Sequence, residues 1–388
     1  METNLKKKIG FLLTSESLGG LELNVINTVE HFHKNFPSDF PLFISKNAAT
    51  LDRAKEKKLN ITLLPSGPKY FNIKCIIKLL YFLNKNPIDF LYLSSEKDID
   101  LGFWCKIFLQ LFYKKKLQLI YVQQMQLGIH KKDFYHTLKY LSLFNWITPL
   151  ESLKIELLHK THFHKNKIKV IPLSMDTYGF VKKLSIHKNH IPELKIKYNI
   201  SEKDFVFSIL GRIDPGKGQL EVLENFLQII LNFPNSKLLI IGSPTHQESL
   251  SVNYYDQIKA LIKSKSPKIQ EQIILISHVD DPTTIYSLTD CLIVSSQKET
   301  FGMVTIEGLL SETIVMGKKS GGTIELLNFG NRGILYDPHI SNDLQNQMLK
   351  LLILNQQKKL NKVSYQKEVL FEFSYFKMER FFKDLMIL

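Results

Sequence analysis

Cysteine is scarce: Cys75, Cys105 and Cys291 are the only three in 388 residues. They are odd in number, far apart and never in C-x-x-C spacing, which excludes a disulfide framework and a cysteine-based zinc site and points to a reducing compartment. Long uncharged apolar runs are missing too. After Met1-Glu2-Thr3-Asn4-Leu5-Lys6-Lys7-Lys8 the apolar run 9–13 is too short for a signal peptide or a spanning helix, and no later stretch reaches spanning length without a charge. A soluble cytoplasmic protein is expected, with peripheral contact to a membrane face as its only route to lipid. A composition of 44% hydrophobic, 23% charged and 11% aromatic residues excludes disorder and collagen-like repetition.

Positive charge is what the chain has in excess. Lys+Arg number 51 against 37 Asp+Glu, a net charge of +14, and residues 1–180 hold 26 of the former and 15 of the latter. A basic half suits anionic lipid or a phosphorylated acceptor, set against the plainer alternative of a bias toward Lys, Asn and Ile. No nucleic-acid partner is expected. The length exceeds what one core organises, so two domains are the default.

Short continuous apolar segments recur at 9–13, 41–44, 61–64, 90–93, 117–122, 146–148 and 169–173, and again at 205–210, 238–241, 273–276, 291–294, 313–316 and 333–336. Helical spacing lies between them at 23–32, 73–83, 220–231, 256–262 and 304–310. Continuous rather than alternating strands separated by helices mean parallel sheets covered on both faces, hence an α/β protein of two doubly wound halves. The expected organisation is a domain at 1–175, a linker region at 176–204, a second domain at 205–365 and a closing helix at 366–388. In such sheets ligands bind beyond the carboxyl ends of the strands, so two facing domains would frame a cleft.

Two loops carry the chemistry. The first reads Gly211-Arg212-Ile213-Asp214-Pro215-Gly216-Lys217-Gly218-Gln219 after a strand. Its glycines let backbone approach a ligand, the next helix presents free N–H groups, and Arg212 and Lys217 add cationic charge, together a diphosphate site. A Walker A loop is excluded because Gly218 stands where Ser or Thr would hold Mg²⁺. The second runs from Ser295 through Glu299, Phe301, Gly302, Met303 and Val304 to Glu307 and Gly308. A carboxylate in a loop at a helix start suits sugar hydroxyls, since neighbouring N–H groups reach the same ligand. Glu307, two turns into the helix, can accept both hydroxyls of a ribose. Either glutamate alone reads as a solvated surface residue; the combination does not.

Gly211-Arg212 with Lys217-Gly218, then Glu299, Phe301-Gly302 and Glu307, together resemble the retaining nucleotide-sugar glycosyltransferases of family 4 (glycosyl transferases group 1), which have the GT-B fold. Gly19-Gly20-Leu21-Glu22, Val170-Ile171-Pro172, Gly321-Gly322 with Glu325, and Phe373-Ser374 through Leu385 extend the resemblance over nearly all the chain. The resemblance implies two Rossmann-like domains facing across a cleft, acceptor-binding first and nucleotide-sugar-binding second, with a C-terminal helix crossing back to the first. It implies that Arg212 and Lys217 bind the donor diphosphate and stabilise the charge of the leaving nucleotide, that Glu299 contacts the donor sugar, and that Glu307 holds the ribose. Backbone groups of Gly211, Phe301, Gly302, Met303, Val304, Gly322 and Thr323 would line the donor, and Gly19 and Gly20 would let the first loop close on phosphates or acceptor. Retention is expected through same-face attack, the leaving diphosphate taking the acceptor proton, with no metal and no cofactor beyond the nucleotide diphosphate-sugar donor substrate. The implied acceptor is a glycan or lipid-linked glycan of bacterial surface polysaccharide, lipopolysaccharide included, at the inner membrane face.

One departure stands out. Where many relatives carry a histidine after a first-domain strand, this chain has Gln123-Gln124, with His130 further on. Glutamine hydrogen-bonds a sugar hydroxyl but relays no proton; Gln124 is the donor-pocket candidate, the plainer reading being local backbone satisfaction. The change leaves room for a rival, a non-catalytic nucleotide-sugar-binding GT-B protein or scaffold; an epimerase or phosphorylase is the other. His159, His162 and His164 read as an exposed loop rather than a metal site. The stripe Trp104, Phe108 and Leu111 before Lys114-Lys115-Lys116 reads as core packing with a solvated basic end, or else as a patch for an anionic membrane surface.

Overall fold

The computed structural model describes residues 7–17, 19–36, 38–68, 70–245, 248–277 and 279–387. Two compact units result, one of residues 1–175 with 373–388 and the other of residues 176–372. The first contains a seven-stranded sheet of β1 (Ile9–Leu13), β2 (Leu42–Ser45), β3 (Ile61–Leu64), β4 (Phe90–Leu93), β5 (Gln118–Val122), β6 (Asn145–Thr148) and β7 (Ile168–Val170). Their order is 3-2-1-4-5-6-7, every pairing parallel. The second contains β8 (Phe205–Leu210), β9 (Ser236–Ile241), β10 (Ile273–Ile276), β11 (Cys291–Val294), β12 (Ile314–Lys318) and β13 (Ile334–Tyr336), ordered 10-9-8-11-12-13 and again parallel throughout.

Every residue of β1, β4, β9 and β11 is buried, as continuous apolar runs require when helices cover both faces. The strand order reverses between β1 and β4 in one sheet and between β8 and β11 in the other, so each sheet opens a crevice beyond the carboxyl ends of that pair. Both are Rossmann-like, doubly wound sheets.

The Lys- and His-rich stretch 176–204, expected as a linker, is folded. Asp176 caps helix Thr177–Lys188 by accepting from Gly179 N at 2.9 Å, a second helix covers Ile191–Lys197, and Phe180 and Leu184 are buried. Its basic residues are the solvated face of amphipathic helices, and the whole segment belongs to the second unit. The closing segment also divides differently from the single helix expected at 366–388. Helix Gln366–Glu372 stays with the second unit, where Gln366 Nε2 donates to Leu310 O at 2.6 Å. Helix Phe376–Ile387 belongs to the first, where Phe382 lies 5.3 Å edge-on to Phe32 and Met386 O accepts from Lys7 N at 3.2 Å. Among the described residues no helix is long and apolar enough to cross a membrane.

Candidate functional site

Glycines shape the carboxyl edge of the second sheet. Gly211 follows β8 with φ 147°, and Gly218, at φ 77°, opens helix Gln219–Ile229. A Cβ on Gly218 would meet Ser295 Oγ at 2.5 Å and Ser295 O at 2.7 Å, so only glycine lets the loop after β8 lie against the loop after β11. Gln297 N donates to Gly216 O at 2.9 Å and ties the two loops. Within the first loop Asp214 Oδ1 accepts from Gly216 N at 2.7 Å, and Gln219 Nε2 donates to Arg212 O at 2.8 Å.

That docking brings two sequence candidates together. Lys217 Nζ lies 2.9 Å from Glu299 Oε2, across 82 positions of sequence. Both side chains keep part of their surface in solvent, 33% for Lys217 and 16% for Glu299, so the pair can exchange partners for a ligand. The Glu299 backbone is fixed separately: its carbonyl accepts from Gly322 N at 2.8 Å, and a Cβ on Gly321 would come within 2.2 Å of that oxygen. Arg212 is exposed, its guanidinium donating to Thr245 Oγ1 at 3.4 Å.

Helix Met303–Leu310 begins at Gly302, which has φ 96° and no side chain to cap the first N–H groups. Met303 and Val304 therefore sit where backbone donors and the positive end of the helix dipole face outward. Phe301 is buried beneath them. Glu307, one turn on, accepts from Tyr286 Oη at 2.7 Å, and burial pushes its carboxyl up to about 7 against the lowering effect of that bond. Thr305 Oγ1 and Thr323 Oγ1 are buried without a hydrogen-bond partner, as is Gln219 Oε1. Buried polar atoms left unpaired in the first turns of the three helices that follow these loops fit a site that a polar ligand completes.

Sequence reasoning missed the support beneath these groups. Lys318, at the end of β12 and 7% exposed, pairs with Glu221 Oε2 at 2.7 Å, which also accepts from Ser295 Oγ at 2.9 Å, and Ser295 in turn contacts Tyr336 Oη at 2.6 Å. No local spacing joins Glu221, Ser295, Lys318 and Tyr336, which come from four elements; a Lys in a strand that should be buried was the one available signal.

Three candidates belong to the first unit. Gly19 precedes helix Gly20–Asn35 without a side-chain cap, and Glu22, 5% exposed, accepts from Ser15 Oγ at 2.5 Å and Ser17 Oγ at 2.9 Å. That carboxylate braces the loop after β1 against its own helix. Of the two glutamines after β5, Gln123 is the structural one: its Oε1 accepts from Trp146 Nε1 at 3.1 Å and its Nε2 donates to Met125 O at 2.9 Å. Gln124 Nε2 is buried and unpartnered. His159, His162 and His164 are exposed.

Residues 190–368 match the family described as Glycosyl transferases group 1. The chain is 28% identical over 188 residues to the capsular polysaccharide biosynthesis glycosyltransferase CapM of Staphylococcus aureus, covering 48% of this chain and 46% of that protein. It is 29% identical over 194 residues to the lipopolysaccharide 1,2-N-acetylglucosaminetransferase of Salmonella typhimurium, covering 49% and 50%. It thus spans about half the length of the curated relatives it matches. Among solved structures, Anabaena Alr3699/HepE in complex with UDP superposes with a TM-score of 0.80 at 17% identity, covering 98% of this chain and 100% of that one. A glycosyltransferase of Rickettsia africae gives 0.80 at 16% identity, covering 98% of each. The likeness to group 1 glycosyl transferases that the loop motifs carry is borne out, and so is the GT-B architecture.

Proposed function

We propose that this chain is a glycosyltransferase that takes a sugar from a nucleotide diphosphate-sugar donor, with retention and without a metal ion, and delivers it to a glycan or lipid-linked acceptor in bacterial surface polysaccharide synthesis. The observation that carries the reading is the Lys217–Glu299 contact of 2.9 Å at the β8–β11 edge, inside the stretch matched by the family. The capsular and lipopolysaccharide transferases among the relatives support the pathway class, and the UDP and UDP-glucose complexes of Alr3699/HepE support the donor class.

Lys217 and Arg212 bind the diphosphate and offset the negative charge that grows on it as the sugar leaves. The bond from anomeric carbon to diphosphate oxygen breaks, its electron pair passing to that oxygen. The acceptor oxygen bonds the carbon from the same face, and its proton goes to the leaving diphosphate. Glu299 accepts a sugar hydroxyl beside the reacting carbon, Glu307 accepts ribose hydroxyls, and the backbone of Gly211, Gly302, Met303, Val304, Gly322 and Thr323 supplies donors and room. In the first unit Gly19 and Gly20 leave a helix start open to phosphate or acceptor, and Gln124, beside the Tyr92 phenol, offers its Nε2 to a sugar hydroxyl.

An anionic membrane surface is the further partner. On helix Ile73–Lys85 the exposed positions are Ile73, Lys74, Ile77, Lys78, Tyr81 and Lys85, and the helix holds no acidic residue. Leu111, Phe112 and Tyr113 are likewise exposed before Lys114, whereas Trp104 and Phe108 pack against the core. Apolar side chains interleaved with lysine suit an interface with anionic headgroups.

Incubating the protein with a panel of nucleotide diphosphate-sugars and glycan acceptors, read by mass spectrometry, tests the reading. One donor is expected to be consumed with a glycosylated product. Donor binding with no product from any acceptor would instead favour the non-catalytic rival.

A further inference from the structure

A carboxylate that must accept two vicinal ribose hydroxyls needs a defined orientation and its negative charge. Glu307 gets both from one neighbour. Tyr286 lies on helix Thr283–Leu288, between β10 and β11, and is 1% exposed. Its ring is held edge-on by Phe180 at 5.8 Å and 63°. Its Oη donates to Glu307 Oε2 at 2.7 Å, the one side-chain hydrogen bond that Glu307 makes among the described residues.

We propose that Tyr286 is the positioning residue of the donor-ribose site: its phenol holds Glu307 Oε2, turns Oε1 toward the ligand and favours the ionised carboxyl. The inference rests on the donor-site reading above and adds a residue outside its motifs. The chemistry is asymmetric. Burial and the nearby carboxylate push the Tyr286 phenol far above its usual range, so it stays a proton donor at every working pH. Burial pushes the Glu307 carboxyl up to about 7, inside the pH range of a binding titration.

Most of the other charged groups around Glu307 pair elsewhere or face solvent. Helices Thr177–Lys188, Gly322–Leu326 and Gln366–Glu372 pack on helix Met303–Leu310. On them, Lys183 and His187 approach Asp281, Lys188 pairs with Glu312, and Glu368 and Glu372 pair with Arg332. Lys182 and Lys367 are exposed, Tyr178 largely so, and Glu325 is half-buried; Lys318 on β12 pairs with Glu221. The Tyr286 hydrogen bond is therefore the single specific interaction that opposes the desolvation of Glu307.

The sign follows from linkage. Ribose binding uses the ionised carboxylate, so affinity falls as pH drops through about 7. Removing the phenol O–H withdraws a donor from the ionised form and moves the Glu307 titration to higher pH. A shift of one unit from about 7 leaves binding about fivefold weaker at pH 7 and nearly tenfold weaker at about pH 6, with the gap closing above the shifted value.

The experiment is calorimetric titration of wild type, Tyr286→Phe and Glu307→Gln with UDP, ADP and GDP from pH 6 to 9, the tightest binder being used throughout. Glu307→Gln isolates the ionisation of the nucleotide itself. In Tyr286→Phe the acid limb is expected to move up by about one unit, with a loss of about fivefold at pH 7 that grows toward tenfold at pH 6 and closes at pH 9. A loss equal at every pH marks a packing role and overturns the proposal, as does no loss. If Glu307→Gln binds like wild type, or no nucleotide binds, the donor-site reading itself falls and the inference with it.

Discussion

Between β1 and β4, the carboxyl end of the first sheet is closed by its own side chain. Asp98 is fully buried: Oδ1 accepts from Thr14 N and Oγ1 at 3.0 and 2.6 Å, and Oδ2 from Ser94 N and Oγ at 3.2 and 2.9 Å. Burial raises its pKa even against those four bonds. Between β8 and β11, at the carboxyl edge of the second sheet, Gly218 lets the two loops touch, and the carboxylate of Glu299 stays at the edge, paired with a part-exposed Lys217. One fold thus uses the same crevice in two ways. Where a carboxylate satisfies the backbone of both loops, it is a structural joint; where glycine docks the loops directly, Glu299 and Lys217 pair with each other at a part-exposed edge. Net charge follows the opposite distribution, since residues 1–180 hold most of the surplus of lysine and arginine. The two cations that the proposed function uses, Arg212 and Lys217, lie in the more neutral half.

The sharpest break of this contrast is Lys217→Ala. Removing a charge-stabilising group is expected to cost about 100- to 1000-fold in turnover, ~2.7–4 kcal/mol, with melting unchanged; initial rates with the preferred donor measure it. Asp98→Ala should act the other way. It leaves buried donors on Thr14 and Ser94 unsatisfied, at about 1–3 kcal/mol, and thermal denaturation should show a lower melting temperature for the first unit. If Asp98→Ala melts like wild type, the joint is not one. The smallest effect on chemistry belongs to the exposed lysines. Lys74→Glu with Lys78→Glu is expected to abolish sedimentation with vesicles rich in phosphatidylglycerol while leaving turnover of a soluble acceptor within twofold. Equal retention on neutral phosphatidylcholine vesicles would remove the electrostatic basis of that surface.

Strand positions were legible because a buried parallel strand has no polar face to hide. All thirteen segments expected from continuous apolar runs appear, with ends shifted by a few residues where capping and turns decide. The loop motifs were legible for a related reason: phosphate and sugar recognition by backbone requires glycine at fixed places, and glycine leaves a mark in sequence. The stretch 176–204 misled because a solvated amphipathic helix rich in lysine has the composition of a linker until its few apolar residues find a partner, here Phe180 against Tyr286. Gln123 and Gln124 are neighbours of identical type, and only packing against Trp146 separates the structural one from the unpartnered one.

By itself, then, the sequence determined two parallel α/β halves, the glycine-bounded cationic loop and the spacing from Glu299 to Glu307. These follow from periodicity and from backbone conformation, which are local. Tertiary structure alone decided that Lys217 meets Glu299, that Glu221, Ser295, Lys318 and Tyr336 form the floor beneath them, and that Tyr286 holds Glu307. Each of those contacts joins residues tens of positions apart, and hydrogen bonds between side chains depend on distances of tenths of an ångström that only the packed sheets and helices fix.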